Sequence, residues 1–178
     1  MYSMFRAKNF CQIFFTKLIA TGCFVLLCFV VDAQSSLPTA QIKTLRGSII
    51  PFSSAVQKDS LVLVCFWSTT SEMSITELNA INAKFEKWKE GLAFKLMAVA
   101  VDEGKTISRV RGAVNANDWK FDVYIDINGE LRNALKSNNL PQAIIIKNDK
   151  VIYQQSGYEQ GTEDYLYKRM RAIADGKL

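Results

Sequence analysis

Seven consecutive residues, Leu61 to Trp67 (LVLVCFW), carry no charged or amide side chain. The run is rich in β-branched and aromatic residues and apolar at odd and even positions alike, so it reads as a strand covered on both faces. Such a strand sits inside a sheet flanked by helices, which makes the chain α/β. The run breaks into Ser68, Thr69, Thr70 and Ser71, and a helical pattern follows. A strand that feeds a short polar loop and then a helix N-terminus is a natural place for chemistry. The free N–H groups and dipole of the helix favour negative charge there.

The first 33 residues read as a targeting segment. Arg6, Lys8 and Lys17 precede an apolar stretch of 14 residues, Leu18 to Val31. That is short for a bilayer span. Val31-Asp32-Ala33 puts a small residue at −1, so residues 1–33 read as a secretory signal peptide cleaved before Gln34, with 34–178 as one domain. An uncleaved membrane anchor is the rival reading. Ala20-Thr21-Gly22-Cys23 looks like a lipobox, but most of the apolar run follows Cys23. An exported, periplasmic or cell-envelope location is expected.

Cleavage would remove three of 22 basic and one of 17 acidic residues, leaving a net charge of about +3. Without a basic run or an aromatic-plus-basic stripe, nucleic acid is not an expected partner. Cys11, Cys23 and Cys28 leave with the signal, and Cys65 alone cannot form an internal disulfide. Histidine is absent from the whole chain. That excludes Ser-His and Cys-His pairs and imidazole-bound metals.

Along the chain, Ile42–Leu45 and Ser48–Ile50 read as a hairpin turning at Arg46-Gly47. Phe52–Asp59 is a polar connection with room for one helical turn. A helix is expected from Glu72 to Glu90, with Ile75, Leu78, Ile81, Phe85 and Trp88 on one face and Gly91 at the stop. Strand Ala93–Val101, helix Lys105–Ala116, strand Phe121–Ile125 and helix Asn128–Ser137 follow. Strand Gln142–Lys147, a turn at Asn148-Asp149, strand Val151–Gln155 and helix Thr162–Ala174 complete the order.

Trp67, Leu140-Pro141 before a strand, the hairpin after it and Gly157 together resemble the thioredoxin superfamily, most closely its exported, redoxin-related TlpA/ResA-like branch. The resemblance spans roughly Gln41 to Asp175. It implies a thioredoxin-like α/β fold: a central mixed β-sheet flanked by helices, with an N-terminal β-hairpin extension. It also implies a cis bond at Pro141 facing the loop after Trp67. The branch reads Trp-x-x-x-Cys-x-x-Cys; here Trp67 matches, and Ser71 and Ser74 occupy the two cysteine positions.

Thiol–disulfide exchange needs a thiolate, and a serine hydroxyl neither ionises near neutrality nor forms a disulfide. Ser71 then reads as a helix cap, with Ser74 and Glu72 in the first turn. Cys65 should share a face with Trp67 and reads as a small buried hydrophobe. Asp126-Ile127-Asn128-Gly129-Glu130 lacks the remaining ligands of a calcium loop and reads as a turn. Tyr153, Tyr158, Tyr165 and Tyr167 read as packing residues, and Trp119 as a plug against the sheet.

No cofactor or metal is expected. The family's peptide groove survives the loss of its thiols, so the leading expectation is a redox-inactive member that binds a protein or extended peptide. The resemblance assigns the groove to Trp67, Thr70, Glu72, Leu140, Pro141 and Gln142. The alternatives are a thiol–disulfide oxidoreductase of cell-envelope redox homeostasis, working through Cys65 or an unrecognised mechanism, or a structural subunit of an envelope assembly. The membrane would be touched only through an uncleaved signal.

Overall fold

The computed structural model describes residues 37–177. The signal-peptide, anchor and lipobox readings concern residues 1–33 and lie outside the described residues.

Among the described residues the strands form one sheet of seven, in the order β2-β1-β5-β4-β3-β6-β7. The central strand β3, Leu61–Trp67, is buried at every position. It pairs in parallel with β4 (Lys95–Ala100) and antiparallel with β6 (Gln142–Lys147). Beyond β4 lies β5 (Asp122–Ile125), also parallel. The hairpin β1 (Gln41–Thr44) and β2 (Ile49–Pro51) attaches antiparallel to β5 and extends that edge. At the other edge, β7 (Lys150–Ser156) folds back on β6.

Strand alternation divides β3 between two cores. Leu61, Leu63, Cys65 and Trp67 enter one, beneath α2 (Glu72–Gly91), α3 (Ile107–Asn117) and α5 (Thr162–Ala174). Val62, Val64 and Phe66 enter the other, beneath α1 (Phe52–Ala55) and α4 (Glu130–Ala134). Each fully buried side chain of this size contributes ~1.5–3 kcal/mol, so β3 is the strand around which both layers assemble.

The main departures from the sequence reading lie at element ends. Gly91 is the last residue of α2 and not a left-handed stop; Leu92 leaves the helix in extended conformation. Its constraint is tertiary, since a Cβ at Gly91 would stand 2.7 Å from Tyr167 Oη of α5. A 3-10 turn at Gly104–Thr106 precedes α3, and left-handed Asp118 ends it. The helix expected over Asn128–Ser137 is five residues long. Gly129, at φ +67, opens it, and left-handed Lys136 follows it. The Asn148-Asp149 turn is as expected: both residues are left-handed, the conformation that matches strand twist in a two-residue hairpin.

Candidate functional site

The register brings the two halves of the expected site to one end of the sheet. Phe66 pairs with Gln142, so the loop leaving β3 and the bond entering β6 are neighbours. The Leu140–Pro141 bond is cis. The carbonyl of Pro141 accepts a hydrogen bond from the Gly157 N–H at 2.8 Å.

Between β3 and α2 the chain turns on its own hydroxyls. Ser68 and Thr70 share a hydrogen bond of 2.9 Å, and the Ser71 N–H donates to the Ser68 carbonyl. Ser71 is the N-cap of α2: its Oγ accepts from the Ser74 N–H at 3.3 Å. Fully buried Ser74 donates its hydroxyl to the same oxygen at 2.8 Å. The two hydroxyls therefore satisfy each other and the helix end. Among the described residues no amine or carboxylate is hydrogen-bonded to either, and an alcohol without a base is a poor nucleophile.

Cys65 is wholly buried in β3. Burial first, and the Glu77 carboxyl second, push its thiol well above the ordinary range. It stays protonated and enclosed, so the Cys65-centred alternative lacks both thiolate and access.

Of the residues assigned to a groove, Thr70 and Glu72 are exposed and Leu140 is half-buried. Trp67, Pro141 and Gln142 are buried and form the floor beneath that surface instead of lining it. The Trp67 ring meets the edge of Trp119 at 4.7 Å, and its Nε1 has no hydrogen-bond partner. Trp119 plugs the α3–β5 connection as expected, donating from Nε1 to Asn79 Oδ1 of α2 at 2.7 Å. Gln142 donates from Nε2 to Gln154 of β7 at 3.2 Å, and its Oε1 is unpartnered. Met73, half exposed, stands at the helix tip.

Two acids at this end escaped the sequence reading. Asp102, just beyond β4 and 2% exposed, grips the loop. Its Oδ2 accepts from the Thr69 N–H at 3.0 Å, and its Oδ1 accepts from the Thr69 hydroxyl. The available signal was an acid placed at the end of a strand parallel to β3. Glu77 lies on the inward stripe of α2, three residues after Ser74 and four before Ile81, and is 1% exposed. Burial, with repulsion from Glu163 second, raises its carboxyl to about 8. Its helical spacing among apolar residues was the signal.

The Asp126 turn is structural, since its carboxylate accepts from the Leu131 and Arg132 N–H groups at 3.2 and 2.7 Å and so caps α4. Among the described residues no cluster of three or more His, Cys, Asp or Glu is disposed to hold a metal ion. The tyrosines pack as a rim: Tyr167 stacks on Trp88 at 5.0 Å, and Tyr153 and Tyr165 flank the Arg169 guanidinium.

Solved structures share this architecture. An uncharacterized thioredoxin-like protein from Porphyromonas gingivalis is 27% identical, with a TM-score of 0.68 over 77% of this chain and 90% of that one. A secreted Mycobacterium tuberculosis disulfide oxidoreductase homologous to E. coli DsbE is 14% identical, with a TM-score of 0.59 over 75% and 96%. The bacterioferritin comigratory protein of Xanthomonas campestris, described with alkyl peroxide reduction activity, is 14% identical, with a TM-score of 0.62 over 75% and 91%. At 14% identity the likeness is one of fold. No curated protein matches the chain. The AhpC/TSA family pattern, by contrast, matches residues 22–155, which takes in β1 to β6, β7 up to its last residue, the capped tip of α2 and the cis-proline. A thioredoxin-like fold with that pattern across most of its length makes the chain a member of the AhpC/TSA family.

Proposed function

We propose that this chain is an exported redoxin-fold protein of the TlpA-like branch that has lost thiol–disulfide chemistry and binds a protein or extended peptide at the Pro141 end of its sheet. The observation that carries this reading is the pairing at the helix tip. Ser71 and Ser74 stand where the resemblance puts the dithiol, and each is engaged with the other. Beside them Thr70, Glu72 and Met73 are exposed, at the end of the sheet where β3 pairs with the start of β6. A fold keeps its shape when its reagent is gone, and recognition of an extended chain needs only shape and backbone. The secreted M. tuberculosis relative in fold and the reading of residues 1–33 support export.

Two measurements on the full chain test this. A carboxymethylated, unfolded polypeptide should bind saturably, with a loss of at least tenfold in Thr70→Arg or Leu140→Arg. Equal binding by both variants would move the site elsewhere. In an insulin-reduction assay the chain should not exceed background. Turnover comparable with an intact dithiol relative would instead favour the second reading, an envelope thiol–disulfide oxidoreductase. That reading draws on the activity named for the M. tuberculosis structure.

A further inference from the structure

Glu77 projects from α2 into the space where β3, α2 and the start of α5 meet. It is 1% exposed, and its Oε2 has no hydrogen-bond partner. The groups around it come from each neighbouring element. The Cys65 thiol of β3 lies close enough to feel its charge. Glu163 of α5 lies close enough to repel it, and Tyr158, in the segment after β7, stands beside both carboxyls. The nearby cation is Lys84, two turns further along α2, and it is already engaged. Its Nζ bonds Glu163 at 2.9 Å and Asp164 at 2.7 Å. Among the described residues no ion pair reaches Glu77.

Glu163 is also the residue that shapes the start of α5. Its Oε2 accepts from the Gly161 N–H at 3.1 Å, fixing the left-handed turn that opens the helix. Burial alone would raise this carboxyl, but Lys84 and the Gly161–Glu163 backbone hold it below the ordinary range, as an anion. The segment it anchors begins at Gly157, whose N–H is bonded to the Pro141 carbonyl.

We propose that Glu77, Glu163 and Lys84 form a pH-operated latch on the β7–α5 segment: with its proton, Glu77 lets the first turn of α5 dock, and without it the paired anions drive that turn and Gly157 away from Pro141. The cause is local electrostatics. One ammonium can neutralise Glu163, but an ionised Glu77 adds a second buried anion with no donor to meet it. The carboxyl midpoint near 8 puts the transition within reach of ordinary buffers. The latch is independent of what the Pro141 end binds, so it stands or falls apart from the peptide-binding reading.

Hydrogen exchange on the full chain tests it, with each rate divided by the intrinsic rate at the same pH. Between pH 6.5 and 9.5 the amides of residues 157–166 should lose protection at least tenfold relative to β3, and Glu77→Gln should abolish the change. An equal loss in Glu77→Gln, or no loss in the unsubstituted chain, overturns the proposal. A 13C-carboxyl titration of the unsubstituted protein is a second measurement free of any folding defect in the variant. A Glu77 midpoint near 8 supports the latch, and one in the ordinary carboxylate range refutes it.

Discussion

The tip of α2 and the interior of β3 hold the chain's two kinds of candidate nucleophile, and they are matched the wrong way round for redox chemistry. The helix tip has the free N–H groups and the dipole that lower a thiol's pKa, and it presents Ser71 and Ser74. The strand interior raises a thiol's pKa, and it holds Cys65. Five residues of chain separate Cys65 from Ser71. The reactivity of a hydroxyl or thiol in this fold is thus a property of position, and here the position and the element that could use it are on different residues.

The largest effect should come from moving sulfur to the tip. Ser71→Cys/Ser74→Cys should gain insulin-reducing activity by orders of magnitude over the parent, with a thiol titrating below ~8.5, the free-cysteine value. Failure to gain activity in a folded variant would show that the tip needs more than thiols to act. The converse measurement is labelling of Cys65, which should react with a maleimide at least ~100-fold more slowly in the native protein than in denaturant, as burial of the reactive form requires.

Smaller effects sharpen the comparison through the acids below the tip. Glu77 has its folded value raised to about 8, so its protonated form stabilises the fold fully below the ordinary carboxylate value of 4.5. That stability is lost as pH rises through about 8. Glu77→Gln should therefore match the parent at pH 4 and exceed it by roughly 4–5 kcal/mol at pH 9 in urea unfolding. Asp102 is the opposite case, a buried acid with both oxygens engaged by Thr69. Asp102→Ala should cost about 2 kcal/mol by orphaning the Thr69 N–H and hydroxyl, and Asp102→Asn should recover part of it. Ser71→Ala removes a cap and should cost about 1 kcal/mol, the smallest of these effects, seen as a lower Tm.

Much of the fold was legible because its signals are local. The apolar run of β3 and the periods of α2 and α5 need only near neighbours in sequence. The same holds for the Asn148-Asp149 turn, where both residues tolerate left-handed backbone. The Ser71 cap was legible for that reason too. What escaped was long-range. Gly91 looks like a helix stop, but its role is to admit Tyr167, seventy-six positions on. Gln142 was expected to line a groove, yet the register of β3 with β6 buries it, and long-range packing sets Trp119 against the ring of Trp67.

From its residues alone, then, the chain already states that it is α/β, that its core strand is Leu61–Trp67, that it has no imidazole, and that Ser71 caps the helix after that strand. These are consequences of side-chain chemistry and short-range spacing. Only the tertiary structure decided that Glu77 lies near the Cys65 thiol, that Asp102 holds the Thr69 loop, and that Glu77 lies near Glu163 without a cation of its own. Those facts arise where strand register and helix packing bring distant residues into a shared low-dielectric interior, and there the charge of one group depends on neighbours that no local pattern records.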